Sequence, residues 1–138
     1  MKSLKTARIN IILYILMGFY RLQILLISSD KLRKHWGKEG EESPKTEPID
    51  HYYYARYICK HIDKISKKTP WESKCLVQAL TARFLLNRKH INNTLYLGVG
   101  RDESGKMVAH AWIRTGEAFV TGGNGEGYGK VASFANIF

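Results

Sequence analysis

Two of the 138 residues are cysteines, Cys59 and Cys75. Cys75 opens a stretch with helical apolar spacing, and His110 stands 35 residues further on, in a run whose period is two. That pairing has a chemistry. A thiolate is a strong nucleophile, and a helix N-terminus favours negative charge and so favours the thiolate. A histidine within reach takes the thiol proton and later returns it to a leaving amine. Spacing alone is a weak signal, because a cysteine serves equally well as a small core residue and a strand histidine is readily satisfied by its neighbours. Neither a CxxC pair nor a Cys/His zinc spacing occurs, and His51, His61 and His90 stand apart without ligand spacing, so no metal or cofactor is expected. A Cys59–Cys75 disulfide is disfavoured, since nothing else marks the chain as secreted.

The elements that must position these two groups are legible. Asp50 is a candidate N-cap for a helix reaching about Ser66, with Tyr53, Tyr54, Tyr57, Ile58, Ile62 and Ile65 at helical spacing. A third helix ends near Arg88, with Leu76, Ala79, Leu80, Arg83 and Phe84 at i, i+3 and i+4. Its start is ambiguous. Thr69 and Glu72 form a capping box with Pro70 at the first helical position, which puts Cys75 in the second turn with its N–H committed. A cap at Ser73 instead puts Cys75 in the first turn with its N–H free, as the chemistry requires, and that is the start expected here. After Asn92 and Asn93 the period becomes two. Strands are predicted over Leu95–Gly100, Met107–Thr115 and Ala118–Thr121, with turns at Asp102–Lys106 and Gly116–Glu117. A glycine-rich loop then precedes a last strand over Lys130–Phe134. Helices first and an antiparallel sheet after them make an α+β fold.

Composition narrows the rest. A chain that is 44% hydrophobic and 25% charged is an ordinary globular domain, neither disordered nor fibrous. The net charge of +10 is concentrated early: between Met1 and Lys38 eight basic residues face one acid, Asp30, for a net of +7. Such a balance suits an acidic peptide, an acidic protein, a membrane surface or nucleic acid. Ile9–Ile27 is nearly all apolar and about long enough to span a bilayer, but Asn10, Arg21 and Gln23 interrupt it and no small-residue cleavage site follows. The expectation is a helix buried on most of its circumference, with a polar stripe of Asn10, Tyr14, Gly18 and Arg21. Residues 1–48 read as this helix, its basic flanks and a linker or exposed loop from Lys38 to Pro48, and 49–138 as the core of one compact domain. Gly122–Gly127 lacks the strand–helix setting of a phosphate loop and reads as a turn or lid.

The full segments carry more than the spacing does. Trp71-Glu72-Ser73-Lys74-Cys75-Leu76-Val77-Gln78-Ala79-Leu80, then Leu95-Tyr96-Leu97-Gly98-Val99, then Ala109-His110-Ala111-Trp112-Ile113, resemble the bacterial lasso-peptide maturation proteases, B-proteins of transglutaminase-like fold. The tail, Val120-Thr121-Gly122-Gly123 with Val131-Ala132-Ser133-Phe134, is similar to the same family. The resemblance implies a transglutaminase/papain-like core and a cytoplasmic cysteine peptidase, in which Cys75 attacks at the leader–core junction of a precursor peptide and His110 serves as base and acid. Trp71, Ser73 and Trp112 are the expected substrate-binding positions, with a hydrophobic cap contact the alternative for Trp71 and a core position the alternative for Trp112. No separate leader-recognition domain is visible, so a discrete leader-recognition protein is implied as a partner, with a ring-forming synthetase as a second. The basic N-terminal third is a candidate docking surface, membrane-surface contact through the first helix is a further expectation, and no nucleic-acid partner is expected.

The third catalytic member departs from the family pattern, which places an Asp on the strand after the histidine strand. With Thr115 opposite Ala118, His110 falls opposite Gly123, and a one-residue change moves its partner to Gly122 or Asn124. Asn124 is the nearest side chain able to accept from the imidazole, giving an expected Cys75-His110-Asn124 arrangement, with Glu117, Glu126 or a bare dyad as alternatives. Two competing readings remain: an acyltransferase using the same dyad, and a non-catalytic basic adaptor in a peptide-maturation, nucleic-acid or membrane-surface complex. The adaptor leaves the ordered Cys and HAW segments unexplained.

Overall fold

The structure, a computed structural model, describes residues 4–70 and 74–138. Helix α1 (Leu4–Leu26) leads into the short α2 (Ser29–Leu32), a 3-10 turn over Arg33–His35 and a two-residue strand β1 (Lys38–Glu39). Two longer helices follow, α3 (Ile49–Ser66) and α4 (Cys75–Arg88), and then β2 (Asn93–Arg101), β3 (Met107–Thr115), β4 (Ala118–Thr121) and β5 (Gly129–Asn136). The strands form one antiparallel sheet in the order β1-β5-β2-β3-β4. The α+β class and every predicted strand are present.

Helices α3 and α4 pack on one face of this sheet, and α1 lies outside them, touching both. Burial follows from that layering. In α3 one stripe, Ala55, Ile58, Ile62 and Ile65, is inside, while Tyr53 is exposed. In α4 the buried set is Val77, Ala79, Leu80, Thr81, Ala82, Leu85 and Leu86, nearly the whole circumference, because this helix has the sheet on one side and two helices on the other. Thr81 is accommodated there by donating its hydroxyl to the Val77 carbonyl, 2.7 Å away. Helix α1 differs from the expectation: only Ile9, Leu13, Met17 and Tyr20 are buried, a single stripe at i, i+4, i+8 and i+11.

Residues 38–48 are mostly exposed, as a linker or loop would be, but they are tied to the sheet. Lys38 and Glu39 pair with Ala135 and Phe134, and the Gly40 amide donates to the Ser133 carbonyl at 2.8 Å. Just beyond, the chain is fastened to the open face of the sheet by Arg114, which is only 8% exposed. Its guanidinium donates to the carbonyls of Ser43 (3.0 Å), Pro44 (3.1 Å) and Gly116 (2.7 Å) and to the Tyr96 hydroxyl (3.0 Å). Tyr96 in turn donates to Glu42. That hydrogen bond, with Lys130 and Arg114 nearby, holds the Glu42 carboxyl below its ordinary range. Polar residues therefore form structure here through one buried cation, a contact over some 70 residues that local pattern cannot reveal. Replacing Arg114 by methionine leaves two buried carbonyls, of Ser43 and Gly116, and the part-buried one of Pro44 without this donor, and the expected loss of unfolding free energy is about 3 kcal/mol. Urea denaturation measures it, and a loss below about 1 kcal/mol would show that water replaces the guanidinium without cost.

Candidate active site

Cys75 is the first residue of α4. Lys74 before it is extended (φ −85°, ψ −168°), so no continuous helix runs from Pro70 through Cys75 and the capping-box start at Thr69 is not the one made. Cys75 thus lies in the first turn, where helical N–H groups have no intrahelical partner. Trp71 and Ser73, expected as substrate-binding positions, the latter also as the helix cap, lie outside the described residues. Half-buried, Cys75 faces a cavity of about 270 Å³. Leu76, Leu97 and Val131 make its lining largely apolar, and His110 also lines the cavity.

His110 pairs with Gly98 across the β2–β3 ladder. Alternation puts it on the face with Trp112 and Arg114, while Ala111 and Ile113 enter the core beneath α4. Its ring stacks on Tyr128 (centroids 4.5 Å apart) and on Trp112 (5.7 Å). Nε2 lies 2.7 Å from the carbonyl oxygen of Gly122. A carbonyl only accepts, so Nε2 carries a proton, and in the neutral ring Nδ1 is the nitrogen left with a lone pair. No hydrogen bond joins the Cys75 thiol to this imidazole: α4 packs on the Ala111 face of the sheet, whereas the ring bonds and stacks on the Trp112 face, so the two residues line one cavity without contact between their reactive groups.

The partner of His110 is a correction to the expected Asn124. Strand β4 departs from simple hairpin register: Thr115 faces Ala118 and Arg114 faces Phe119, but Ile113 faces Thr121, so Val120 is an extra residue. The chain then turns away through Gly122 and Gly123, at φ +75° and +72°. Asn124 is carried past the histidine and folds on itself, its Oδ1 accepting from the Glu126 amide at 3.0 Å. Gly122 is required where it stands, since a Cβ there would come within 2.4 Å of the Ala111 carbonyl oxygen. A backbone carbonyl thus occupies the place where a side chain was sought. Trp112 does not line the Cys75 cavity. Its indole is buried behind His110 and stacks on Tyr96 at 5.5 Å, and its ring passes over Gly98, where a Cβ would meet it at 2.8 Å.

The remaining wall was not anticipated. Ser29, Arg33 and Trp36, from the segment just after α1, close one side of the cavity. Arg83 holds this segment by donating to the carbonyls of Trp36 (2.9 Å) and His35 (2.7 Å), and Asn136 donates to the Trp36 carbonyl at 3.0 Å. Arg33 lies over the Phe134 ring and pairs with Glu39 at 3.1 Å. The sole hint in sequence was Arg83, a charge at a position of the α4 pattern otherwise apolar. The other thiol, Cys59, is free and sits in α3; burial, followed by the nearby Asp63 charge, pushes it above the ordinary thiol range.

Residues 19–138 match the family model described as Transglutaminase-like superfamily. The match starts inside α1 and includes the Ser29–Trp36 wall as well as both ends of the Cys75–His110 pair. No curated protein and no solved structure matched this chain.

Proposed function

The chain belongs to the transglutaminase-like superfamily, which includes cysteine proteases and acyltransferases, and from that premise we propose that it is a cysteine peptidase that removes the leader from a ribosomally made lasso precursor peptide. One observation carries the reading: Cys75, at a helix N-terminus, and His110 both line one apolar cavity. The ordered segments around them, similar to those of lasso maturation proteases, supply the substrate class.

In the proposed reaction a rearrangement at the mouth of the cavity must first bring the Cys75 thiol and Nδ1 together, and the proton then passes to nitrogen. The Cys75 sulfur then attacks the carbonyl carbon of the leader's last residue. Free N–H groups at the start of α4, that of Cys75 included, face the negative charge developing on oxygen. The C–N bond breaks as imidazolium returns its proton to the core peptide's amine, leaving the leader as a thioester. Water, deprotonated by the same imidazole, releases the leader acid and restores the thiol. Throughout, the Nε2–H bond to Gly122 holds the ring's tautomer. A carbonyl stabilises imidazolium less than a carboxylate does, so the dyad works with orientation more than with charge. The leader-recognition protein and the ring-forming synthetase stand in this proposal as the partners that deliver the substrate and take the product.

Two measurements test it. A cysteine-directed peptidyl electrophile at neutral pH is expected to label Cys75 faster than Cys59, whose thiol is held up by burial, and to lose that preference in His110→Ala. Incubation with precursor peptide and leader-binding partner is expected to yield leader acid and free core, read by mass. Equal labelling of both thiols favours the non-catalytic adaptor, and a leader joined to an added amine favours acyl transfer.

A further inference from the structure

Among the described residues, nine of the sixteen exposed large apolar side chains lie between Leu4 and Ile27. Their arrangement is regular. Ile11, Ile15, Phe19, Leu22 and Leu26 follow one another at i, i+4, i+8, i+11 and i+15, and each is at least half exposed. This stripe lies half a turn around α1 from the buried stripe of Ile9, Leu13, Met17 and Tyr20, because two residues advance a helix by roughly 200°. Helix α1 therefore has two apolar faces, of which the domain covers one. Contiguous apolar surface of this kind on a soluble domain marks a contact site.

Charge says what the contact is. Exposed cations stand at both ends of the stripe, Lys5 and Arg8 at its start and Lys31 and Lys34 just past its end. Helix α1 itself contains no acid, and the first one in the chain is Asp30. An apolar face ended by cations and lacking acids is the profile of a helix lying in a bilayer interface, with its side chains among the acyl chains and its cations at anionic headgroups. We propose that the outer face of α1 docks this protein on an anionic lipid surface. The helix lies flat on it and does not cross it, since the opposite stripe is engaged by α3 and α4. Ser29 and Arg33 follow α1 directly and border the Cys75 cavity, so docking brings that cavity to the surface. The proposal is independent of any peptidase activity.

Flotation of the full chain with vesicles tests it. The protein is expected to float with vesicles of phosphatidylcholine and phosphatidylserine, and to stay behind with phosphatidylcholine alone. Leu22→Glu is expected to weaken partitioning about tenfold by removing one inserted side chain. Lys31→Glu and Lys34→Glu are expected to weaken it about fivefold per charge removed. The mutated side chains are exposed, so circular dichroism and thermal unfolding should match the parent, and Ile15→Glu serves as the second apolar variant. Absence of flotation with anionic vesicles overturns the proposal, as does equal retention on neutral ones or partitioning indifferent to Leu22→Glu and Ile15→Glu. A stable dimer that Leu22→Glu dissociates would assign the face to a second copy and overturn it too.

Discussion

Cys75→Ala is expected to abolish cleavage of the precursor, lowering turnover by about a millionfold, the scale at which removing the nucleophile of a protease triad acts. The side chain is only half-buried and the substitution deletes a single sulfur, so the unfolding midpoint should stay near that of the parent. His110→Ala is expected to be nearly as severe, because nucleophile and base act as a unit and their losses do not add. It differs in stability: the Tyr128 and Trp112 stacks go with the ring, at about 1 kcal/mol. The double variant should therefore be no slower than Cys75→Ala alone. Residual cleavage in Cys75→Ala at a tenth of the parent rate would remove Cys75 from the mechanism. Loss of activity in His110→Ala accompanied by unfolding would be separated from a chemical effect by adding imidazole, which restores a missing base but not a missing fold.

Gly122→Ala is the second. Alanine at φ +75° costs roughly 1–2 kcal/mol in backbone strain. Its Cβ would also stand 2.4 Å from the Ala111 carbonyl oxygen, a distance no real contact sustains. The strand end must shift, and the carbonyl that holds His110 Nε2 shifts with it. A displacement of about 1 Å at a positioning group costs on the order of a hundredfold in rate. Asn124→Ala should leave the rate within about twofold, since its side chain bonds only to the neighbouring loop amide and loop positions of this kind are close to neutral. The comparison is decisive between the carbonyl and the amide as the group that orients the ring. The opposite ordering of the two variants would restore Asn124.

These expectations rest on parts of the molecule that were legible to different degrees. Apolar period placed α3, α4 and the strands β2 to β4 close to their observed bounds, because each buries a face at its own repeat. It did not find β1, two polar residues that form a strand only because β5 ends beside them. It overstated the burial of α1 as well, since an apolar residue reads the same whether helices or nothing lies against it. At the site, the nucleophile and base candidates were readable because their side chains are chemically distinctive and their segments resemble a known family. The group bonded to His110 was not, for a peptide carbonyl has no letter of its own.

What the chain determined locally, then, is the order of its elements and the α+β class, both consequences of period and turn chemistry over a few residues; its capping signals left the start of α4 open. Tertiary structure alone decided that an extra residue in β4 brings Gly122 and not Asn124 to the imidazole, that Arg83 draws the Ser29–Trp36 segment over Cys75, and that α1 is left half uncovered. Each of these depends on register and contact between residues far apart in the chain, where an ångström of backbone position, which no local pattern encodes, selects the partner.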